Sequence, residues 1–347
     1  MSPNGPLVIH IAYGPLGDVI DPARAAAIRA DVDVRAVPYD LSHAEHTRRA
    51  REPHAPDFAA GEVELCADLR DALAAAEVML TLNAPLDLPS LAPRLRWIQA
   101  IGSGVGQFVP SRLPDGGITL TNAAGVAAAP IAEWVLARIL SVYKRLDEHA
   151  EQQRSHVWRE SFGALIEGRT AVVVGLGAIG TAVATRLRAF GVRVIGVRRT
   201  PGAIPTAVDE LVGPDQLHEV LGRAHIVVVA APGTAANESM FDAAVFAAMR
   251  RGALFVNVAR GSLVDEDALV AALRSGHLRA AAIDVTREEP LPPDSALWDT
   301  PNLAISPHSS ASADRYLERV AELFYDNLAR YVTGRELRNV VDLSQGY

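Results

Sequence analysis

Short apolar runs alternate with segments of helical periodicity along most of this chain. Before residue 121, five runs are predicted to be buried strands. Ala/Arg-rich segments of helical or loop character separate them, and this alternation is typical of a parallel sheet covered by helices. The pattern therefore predicts a small α/β domain. The five predicted strands are Leu7–Ala12, Val34–Val37, Val78–Leu82, Leu95–Ile101 and Ile118–Thr121.

A second set of apolar runs begins at residue 171. Ala171–Val174 is predicted to be a strand, and a helix follows because apolar residues recur every four positions from Ile179 to Leu187. Another strand, Val192–Val197, comes next. Four more runs complete a set of six strands, the number in a doubly wound dinucleotide-binding sheet. They are His225–Ala230, Ala253–Val258, Arg279–Asp284 and Asn302–Ile305.

Three further segments have the periodicity of amphipathic helices. Pro130 starts the first, Ile131–Leu146, which is predicted to lead into the nucleotide-binding half. The second, Asp265–Gly276, has acidic residues in its first turn and glycine after its last. The third is Ala313–Val332. Domain boundaries are expected near residues 121 and 312.

Three glycines follow the first strand of the second set at G-x-G-x-x-G spacing. They are Gly175, Gly177 and Gly180, and the turn they form includes Ala178 and Ile179. Because strand, turn, helix and second strand are in register, the turn is predicted to bind the pyrophosphate of a dinucleotide at the helix N-terminus. A merely structural glycine turn is the alternative.

The end of the strand Val192–Val197 favours NADP over NAD. NAD-binding proteins usually have a carboxylate there, which accepts a hydrogen bond from the ribose 2′-OH. This chain has Arg198, Arg199 and Thr200 instead. Two guanidinium groups and a hydroxyl suit a 2′-phosphate, although a solvated basic strand end is the alternative and NAD remains possible.

Composition narrows the class of protein. The chain has 347 residues and a net charge of −8. Lys144 is the only lysine, which argues against a polybasic surface for nucleic acid or membranes. Cys66 is the only cysteine, so no disulfide forms within the chain and no thiolate metal site is expected. A polar stretch containing His43, His46 and His54 is explained by a surface loop, and no metal site is predicted.

Targeting signals are not evident in the sequence. There is no signal peptide pattern and no apolar stretch long enough for a transmembrane helix, so a cytoplasmic protein is expected.

Arg260, Glu289 and His308 each follow a predicted strand of the second set. Ligands bind outside the carboxyl ends of the strands in an open α/β sheet, so we expect all three on one crevice with the glycine turn. Together they have the parts that carbonyl reduction needs. Histidine can donate a proton, a neighbouring carboxylate favours the imidazolium form, and arginine binds a carboxylate and polarises a carbonyl.

The chain resembles the D-isomer-specific 2-hydroxyacid dehydrogenase family over essentially its full length. The resemblance implies an α/β fold of two Rossmann-like domains with doubly wound parallel sheets and an active site in the cleft between them. Residues 1–120 with 313–347 then form the flavodoxin-like, substrate-binding domain, and residues 121–312 the dinucleotide-binding domain. A homodimer through the cofactor domain is also implied. The resembling stretches are GSGVG at 102–106, GLGAIG at 175–180, NVARGSLVDEDAL at 257–269, IDVTREEPLP at 283–292, SPHSS at 306–310, NVVD and the terminal GY.

The same resemblance assigns roles to individual residues. It implies that His308 is the general acid and base, that Glu289 is its partner and that Arg260 binds the 2-oxo acid. The backbone amides of Ser103 and Gly104 then hold the substrate carboxylate. Cofactor contacts are implied for Pro232, Thr234 and Ala259, and for Asp284 with the nicotinamide carboxamide.

The predicted function is NADPH-dependent reduction of a small 2-oxo acid, glyoxylate or hydroxypyruvate first, to the D-2-hydroxy acid. Glu289 counts against a formate dehydrogenase, which has glutamine there. The alternatives are a corepressor-like protein that senses NADP(H) and a phosphite-type dehydrogenase. Two positions depart from the family: Gly106 stands where aspartate is frequent, and Ser310 where glycine is frequent.

Overall fold

The computed structural model describes residues 5–51, 58, 61–199 and 202–343. The chain forms two compact units, Met1–Val126 with Asp314–Tyr347, and Ala127–Ala313. Each unit has one sheet of parallel strands connected through helices, which confirms the predicted α/β class with two parallel sheets. No helix in the described ranges combines the length and the apolar character that crossing a membrane requires.

The bounds of the elements follow the chain order. The strands are β1 (Leu7–Ile11), β2 (Val32–Ala36), β3 (Val78–Thr81), β4 (Trp97–Ala100), β5 (Thr119–Thr121), β6 (Thr170–Val174), β7 (Arg193–Val197), β8 (Glu210–Val212), β9 (Ile226–Val229), β10 (Leu254–Asn257), β11 (Ala280–Ile283) and β12 (Leu303–Ile305). The helices are α1 (Pro22–Ile28), α2 (His43–Arg51), α3 (Ala67–Ala75), α4 (Leu88–Leu91), α5 (Ala128–Lys144), α6 (Leu146–Arg154), α7 (Ala178–Ala189), α8 (Leu217–Leu221), α9 (Ala243–Ala248), α10 (Glu266–Arg274) and α11 (Tyr316–Val332).

The first unit is built on a five-stranded sheet in the order β2-β1-β3-β4-β5. All of its pairings are parallel, with Leu7 opposite Val32 at one edge and Trp97 opposite Thr119 at the other. Strands β1, β3 and β4 are buried at every position. A parallel sheet covered on both faces requires such nearly continuous apolar strands, which is why each predicted strand of this half is found.

Helix α11 returns the chain to this first unit. Its buried face includes Val320, Phe324 and Leu328, which recur every four residues. The ring of Phe324 stacks on Trp97 of β4, with 5.5 Å between the ring centroids. The helix begins at Tyr316 rather than at the predicted Ala313.

The second unit is built on a sheet in the order β12-β11-β10-β9-β6-β7-β8. The six predicted strands all form, and β6, with the glycine turn at its carboxyl end, pairs with β9 on one side and β7 on the other. The switch point of this doubly wound sheet lies there, because the chain continues to β7 on one side of β6 and later to β9 on the other. Ligands bind at such a point in open α/β sheets.

The prediction of six strands in this sheet is wrong by one. Strand β8 adds a seventh at the edge, where Glu210 lies opposite Ile195 of β7. It has only three residues, too few for an alternating pattern to stand out from the loop before it. Its pairing with β7 is a long-range contact that local periodicity does not contain.

The prediction of one helix over Ile131–Leu146 is also wrong at its C-terminal end. Helix α5 ends at Lys144, because Arg145 adopts a left-handed conformation with φ of 58°. Helix α6 then starts at Leu146, which is 50% exposed instead of lying on a buried face. Glycine usually occupies such a left-handed position, so an arginine there gave no signal of the break.

Candidate active site

The glycine turn, residues 175–180, is shaped by close approaches of the backbone. Gly175 has φ of +92°, and a Cβ there would lie 2.6 Å from the Cα of Ala231, just after β9. A Cβ on Gly180 would lie 1.9 Å from the carbonyl oxygen of Gly175. Glycine is therefore required at both positions, one for the turn and one for the close packing of helix on strand.

Gly177 is different, because a Cβ there would meet no atom within 4 Å. It is the N-cap of α7, a helix of 12 residues whose N-terminus no side chain caps. In the described structure the first-turn amides of Ala178 and Ile179 donate no hydrogen bond, and they lie at the positive end of the helix. This cradle fits the pyrophosphate of a dinucleotide.

The two arginines predicted to select NADP lie at the end of β7. The backbone N–H of Arg198 donates to the carbonyl of Val212 in β8, at 3.1 Å. Strand β8, which was not predicted, therefore fixes the backbone at the end of β7. Its guanidinium lies against Gly202, where a Cβ would be 2.5 Å from Nη2. Arg199 is exposed. Thr200 lies outside the described residues.

The loop after β9 carries Pro232 and Thr234, and Asn237 closes it. The amide oxygen of Asn237 accepts from the backbone N–H of Thr234 at 2.7 Å, and its Nδ2 donates to the carbonyl of Pro232 at 2.8 Å. The T-x-x-N spacing of a helix cap was the signal in the sequence that could have found Asn237. The loop also touches the next one, because a Cβ on Gly233 would lie 3.0 Å from Cγ of Arg260.

Arg260 follows β10 in a turn built by Asn257. The buried Asn257 side chain accepts from the N–H of Ala259 and donates to the carbonyl of Arg260, each at 3.0 Å. Arg260 itself is exposed, and its Nη1 donates to the carbonyl of Ala259 at 2.7 Å. Asn257 therefore fixes the backbone turn that carries Arg260 at the carboxyl end of the sheet.

Glu289 and His308 form a hydrogen-bonded pair. Nδ1 of His308 lies 2.8 Å from Oε2 of Glu289, while Oε1 of Glu289 accepts from the backbone N–H of Thr286 at 2.9 Å. Since a carboxylate only accepts, Nδ1 donates to it. The His308 side chain is 50% exposed, which leaves Nε2 on the open side of the ring. This arrangement is that of a histidine oriented to transfer a proton through Nε2.

The loops of Arg260 and Glu289 interlock. A Cβ on Gly261 would lie 2.0 Å from the carbonyl carbon of Thr286, so only glycine allows these backbones to meet. The N–H of Arg287 donates to Oε1 of Glu266 at 2.7 Å. Burial raises the pKa of Glu266, and the negative charges of Asp267 and Glu289 act in the same direction. The loops that carry Arg260 and Glu289 are thus packed directly against each other.

Asp284, at the end of β11, is buried and lies beneath the histidine loop, defined as residues 306–310. Every hydrogen bond that its carboxylate makes in the described structure comes from this loop. The structure therefore brings Asp284 to His308, and both to the edge where Arg260 and Glu289 lie. Strands β10, β11 and β12, which carry these residues, are neighbours in the sheet.

Ser103 and Gly104 lie in the other unit, in the GSGVG loop (residues 102–106) after β4. Asn122 donates to the carbonyl of Ser103 at 2.9 Å, and the buried Gln107 donates to that of Gly104 at 3.4 Å. In the part of the chain that the structure describes, the backbone N–H groups of Ser103 and Gly104 make no hydrogen bond. Two amides that remain available at a strand end can bind an anion. Neither anchoring side chain, Asn122 or Gln107, was predicted from the sequence.

Gly106 shows why this loop lacks the aspartate that is frequent in the family. A Cβ there would lie 2.3 Å from the carbonyl oxygen of Ala50 in α2. Helix α2 packs so closely on the loop that no side chain fits at position 106. This packing explains why glycine stands there instead of aspartate.

The prediction of a surface loop for the histidine-rich stretch is wrong for His43 and His46, which lie on helix α2. Nδ1 of His46 donates to Oδ1 of Asn83 at 2.8 Å. His54 lies outside the described residues. A search of the described ranges finds no group of three His, Cys, Asp or Glu residues that could hold a metal ion.

Comparison with known proteins gives a consistent family. The profile of the D-isomer specific 2-hydroxyacid dehydrogenase NAD binding domain matches residues 136–310. The glyoxylate/hydroxypyruvate reductase B of Citrobacter koseri is 31% identical over 317 residues, which cover 89% of this chain and 96% of that protein.

Two solved structures resemble the whole chain. A D-isomer specific 2-hydroxyacid dehydrogenase from Xanthobacter autotrophicus, in complex with NADPH and MES, has a TM-score of 0.77 at 28% identity and covers 99% of this chain and 100% of that one. An NADPH-dependent glyoxylate/hydroxypyruvate reductase from Sinorhizobium meliloti, in complex with NADP and sulfate, has a TM-score of 0.74 at 26% identity with the same coverage. The chain therefore belongs to the D-isomer-specific 2-hydroxyacid dehydrogenase family and is an NAD(P)-dependent oxidoreductase.

Proposed function

We propose that this protein uses NADPH to reduce a small 2-oxo acid, glyoxylate or hydroxypyruvate first, to the D-2-hydroxy acid. The observation that carries the proposal is the 2.8 Å hydrogen bond between Nδ1 of His308 and Glu289, on a half-exposed imidazole. Bound reduced nicotinamide supplies the hydride that reaches the carbonyl carbon. The relatives named as glyoxylate/hydroxypyruvate reductases support this choice of substrate.

His308 gives the proton that the developing alkoxide needs. Glu289 accepts from Nδ1, so the carboxylate stabilises positive charge on the ring and leaves Nε2–H as the group that donates. Thr286 holds Glu289 through its backbone N–H, at 2.9 Å, so the carboxylate is itself fixed. The pair therefore orients the donor.

Two groups bind the acid itself in this proposal. The fork of Arg260 binds the 2-oxo acid and polarises its carbonyl, as guanidinium groups do with planar oxygen pairs. The N–H groups of Ser103 and Gly104 donate to the substrate carboxylate. Residues 1–120 with 313–347 then act as the substrate-binding domain, and residues 121–312 as the dinucleotide-binding domain.

The cofactor is held from Gly175 to Gly180, with the amides of Ala178 and Ile179 on the pyrophosphate. Arg198 and Arg199, with Thr200, bind the 2′-phosphate, and NADP(H) in the two solved relatives supports this preference. Pro232, Thr234 and Ala259 line the rest of the cofactor site.

The deciding experiment follows the absorbance of NADPH, and separately of NADH, with glyoxylate, hydroxypyruvate, pyruvate and phenylpyruvate. Rapid NADPH-dependent turnover of glyoxylate and hydroxypyruvate is expected. Tight binding of NADPH without turnover of any acid would contradict the proposal and favour a protein that senses NADP(H). Reduction of NADP+ with phosphite as the electron donor, followed at the same absorbance, would favour a phosphite-type dehydrogenase.

The choice of cofactor has its own test in the variant Arg198→Ala/Arg199→Ala. Loss of two charge-assisted contacts is expected to weaken NADPH by about 100-fold and NADH by less than about twofold. Arg193→Ala is the matched control, because Arg193 lies at the other end of β7 and pairs with Glu210 at 2.9 Å. Equal losses for both cofactors would refute the 2′-phosphate assignment.

The protein is further proposed to be a homodimer through the cofactor-binding unit. The segment after α6 exposes large apolar side chains in a short stretch: Trp158 is 98% exposed and Phe162 81%. Apolar patches of this kind mark protein contacts. Trp158→Ala/Phe162→Ala should convert a dimer to a monomer in light scattering, whereas Phe190→Ala, at the end of α7, should not. A wild-type monomer would exclude the dimer.

A further inference from the structure

The carboxylate of Asp284 is surrounded by donors from the histidine loop. Oδ1 accepts from the hydroxyl of Ser306, from the N–H of Ser309 at 2.9 Å and from the N–H of Ser310 at 3.0 Å. Oδ2 accepts from the hydroxyl of Ser310 and, at 3.1 Å, from its N–H. Residue Asp284 is only 2% exposed. A buried carboxylate thus sits inside a ring of N–H and O–H groups.

A carboxylate has about four lone-pair sites, and the five hydrogen bonds of Asp284 already use them. All of these donors belong to three serines of the one loop. Four donor groups make these five contacts, because the N–H of Ser310 reaches both oxygens. The carboxylate therefore has little capacity left for a donor from elsewhere. Its charge is compensated by the loop, so loop and carboxylate hold each other in place.

His308 lies in the middle of this loop, in an unusual backbone conformation. Its φ is +50°, in the left-handed region that non-glycine residues seldom adopt. Its own N–H donates to the carbonyl of Asp284 at 2.8 Å and to that of Ser306 at 3.0 Å. Such a conformation persists only where the surroundings over-determine it, and here Asp284 holds the loop through both its side chain and its main chain.

We propose that Asp284 and Ser310 are positioning residues that hold the His308 loop so that the imidazole meets Glu289. Ser306 contributes the same kind of contact from the other side of the histidine. This inference rests on the proposed role of His308 as the proton donor. It gives Asp284 a function other than the carboxamide contact that the family resemblance implies.

Ser310→Ala is the mildest test, because it removes one hydroxyl and leaves the N–H groups on Asp284. Loosening the histidine is expected to lower kcat about 10-fold, with the dissociation constant of NADPH changed by less than about twofold. The pH profile of kcat should also differ from that of the wild-type enzyme, because the geometry between the proton donor and Glu289 changes. Fluorescence titration of NADPH measures binding without turnover.

Ser312→Ala is the matched control, since Ser312 is an exposed serine just beyond the loop. It should keep the wild-type kcat and pH profile. Ser306→Ala is the second variant, and it should show a smaller effect of the same kind, because two N–H groups remain on Oδ1.

Weaker NADPH binding with an unchanged kcat and pH profile in both serine variants would overturn the inference and return Asp284 to the cofactor. A Ser310→Ala enzyme indistinguishable from Ser312→Ala would also overturn it. Failure of the proposed function looks different: His308→Asn would then retain wild-type turnover, whatever the serine variants do.

Discussion

The two units hold their candidate substrate loops with opposite chemistry. In the GSGVG loop the anchors are side-chain amides, Asn122 and Gln107, which donate to the carbonyls of Ser103 and Gly104. In the histidine loop the anchor is the carboxylate of Asp284, which accepts N–H groups. Both loops follow a parallel strand at its carboxyl end, so their topology is the same.

This difference decides what each loop can offer to a ligand. A loop held by its carbonyls keeps its N–H groups available, and these bind an anion. In a loop held by its N–H groups, those groups are already hydrogen-bonded. Such a loop presents a side chain to a ligand instead, here the imidazole of His308. In the proposed function, the donor or acceptor character of the buried anchors thus separates a loop that binds an anion from a loop that transfers a proton.

The largest effect is expected from His308→Asn, which removes the group that the histidine loop presents. Loss of a general acid should lower kcat by about 10²- to 10⁴-fold, with NADPH affinity nearly unchanged. Stopped-flow turnover and fluorescence titration measure the two quantities. His149→Asn, an exposed histidine on α6, serves as the control. A fully active His308→Asn enzyme would show that the reaction does not use the imidazole. The contrast between the GSGVG loop and the histidine loop would then not hold.

Gly106→Ala should displace the GSGVG loop from helix α2. The new Cβ would lie 2.3 Å from the carbonyl oxygen of Ala50, so α2 and the loop must separate. We expect stability to fall by about 1–3 kcal/mol and the KM for the 2-oxo acid to rise, measured by denaturant unfolding and steady-state kinetics. Gly222→Ala, whose Cβ would meet nothing closer than 3.7 Å, is the control. If Gly106→Ala and Gly222→Ala have the same stability and the same KM, helix α2 can move away from the loop at little cost in free energy.

Asn122→Asp makes the anchor of the GSGVG loop resemble that of the histidine loop. The carboxylate still accepts from the N–H of Ala124, which bonds to Oδ1 of Asn122 at 3.0 Å, but it repels the carbonyl of Ser103. The KM for the 2-oxo acid should rise about 10-fold, with kcat within about twofold of wild type. Asn122→Ala should have a smaller effect in the same assay. A lower kcat at constant KM would contradict the assignment of this loop to the substrate carboxylate.

The smallest effect concerns His10, a histidine in the opposite environment to His308. His10 is fully buried in β1, and its Nε2 donates to the carbonyl of Val37 at 2.7 Å. Burial lowers the pKa of His10 below 6.5, an effect that the Arg35 charge reinforces and the hydrogen bond opposes. The unfolded chain therefore binds the proton more tightly, so stability should fall as the pH drops below about 6.5.

His10→Gln keeps a donor for Val37 and removes the titration. Its melting temperature should depend less on pH than that of the wild-type protein between pH 5 and pH 8, by a few °C. Parallel melting curves for the two proteins over this range would show that His10 does not titrate on unfolding.

Local sequence predicted much of the second unit. The strand, glycine turn and helix from β6 to α7 are found where the periodicity predicts them, because neighbouring residues alone determine each of these elements. Strand β8 and the break at Arg145 were missed, since one depends on pairing with β7 and the other on a left-handed residue with no glycine signal. The anchor Asn122 was also missed, because it acts on backbone 19 positions away that only the fold brings to it. Asn237 and Asn257 act within their own turns, and the T-x-x-N spacing that ends at Asn237 was a signal that the prediction did not use.

The sequence by itself determined the class of the protein. Its apolar runs specify two sets of parallel strands, and the order of glycine turn, Arg260, Glu289 and His308 along those strands indicates an oxidoreductase. Periodicity and spacing suffice for this because a parallel sheet places the ends of its strands at one edge.

Only the tertiary structure decided how the loops are held. Asp284 meets Ser310 across 26 positions of the chain, and Gly106 meets Ala50 because α2 packs on its loop. Nothing in the local pattern encodes whether a buried side chain will face carbonyls or N–H groups, since that depends on which backbone the fold places against it. The chemistry offered by each loop follows from that placement.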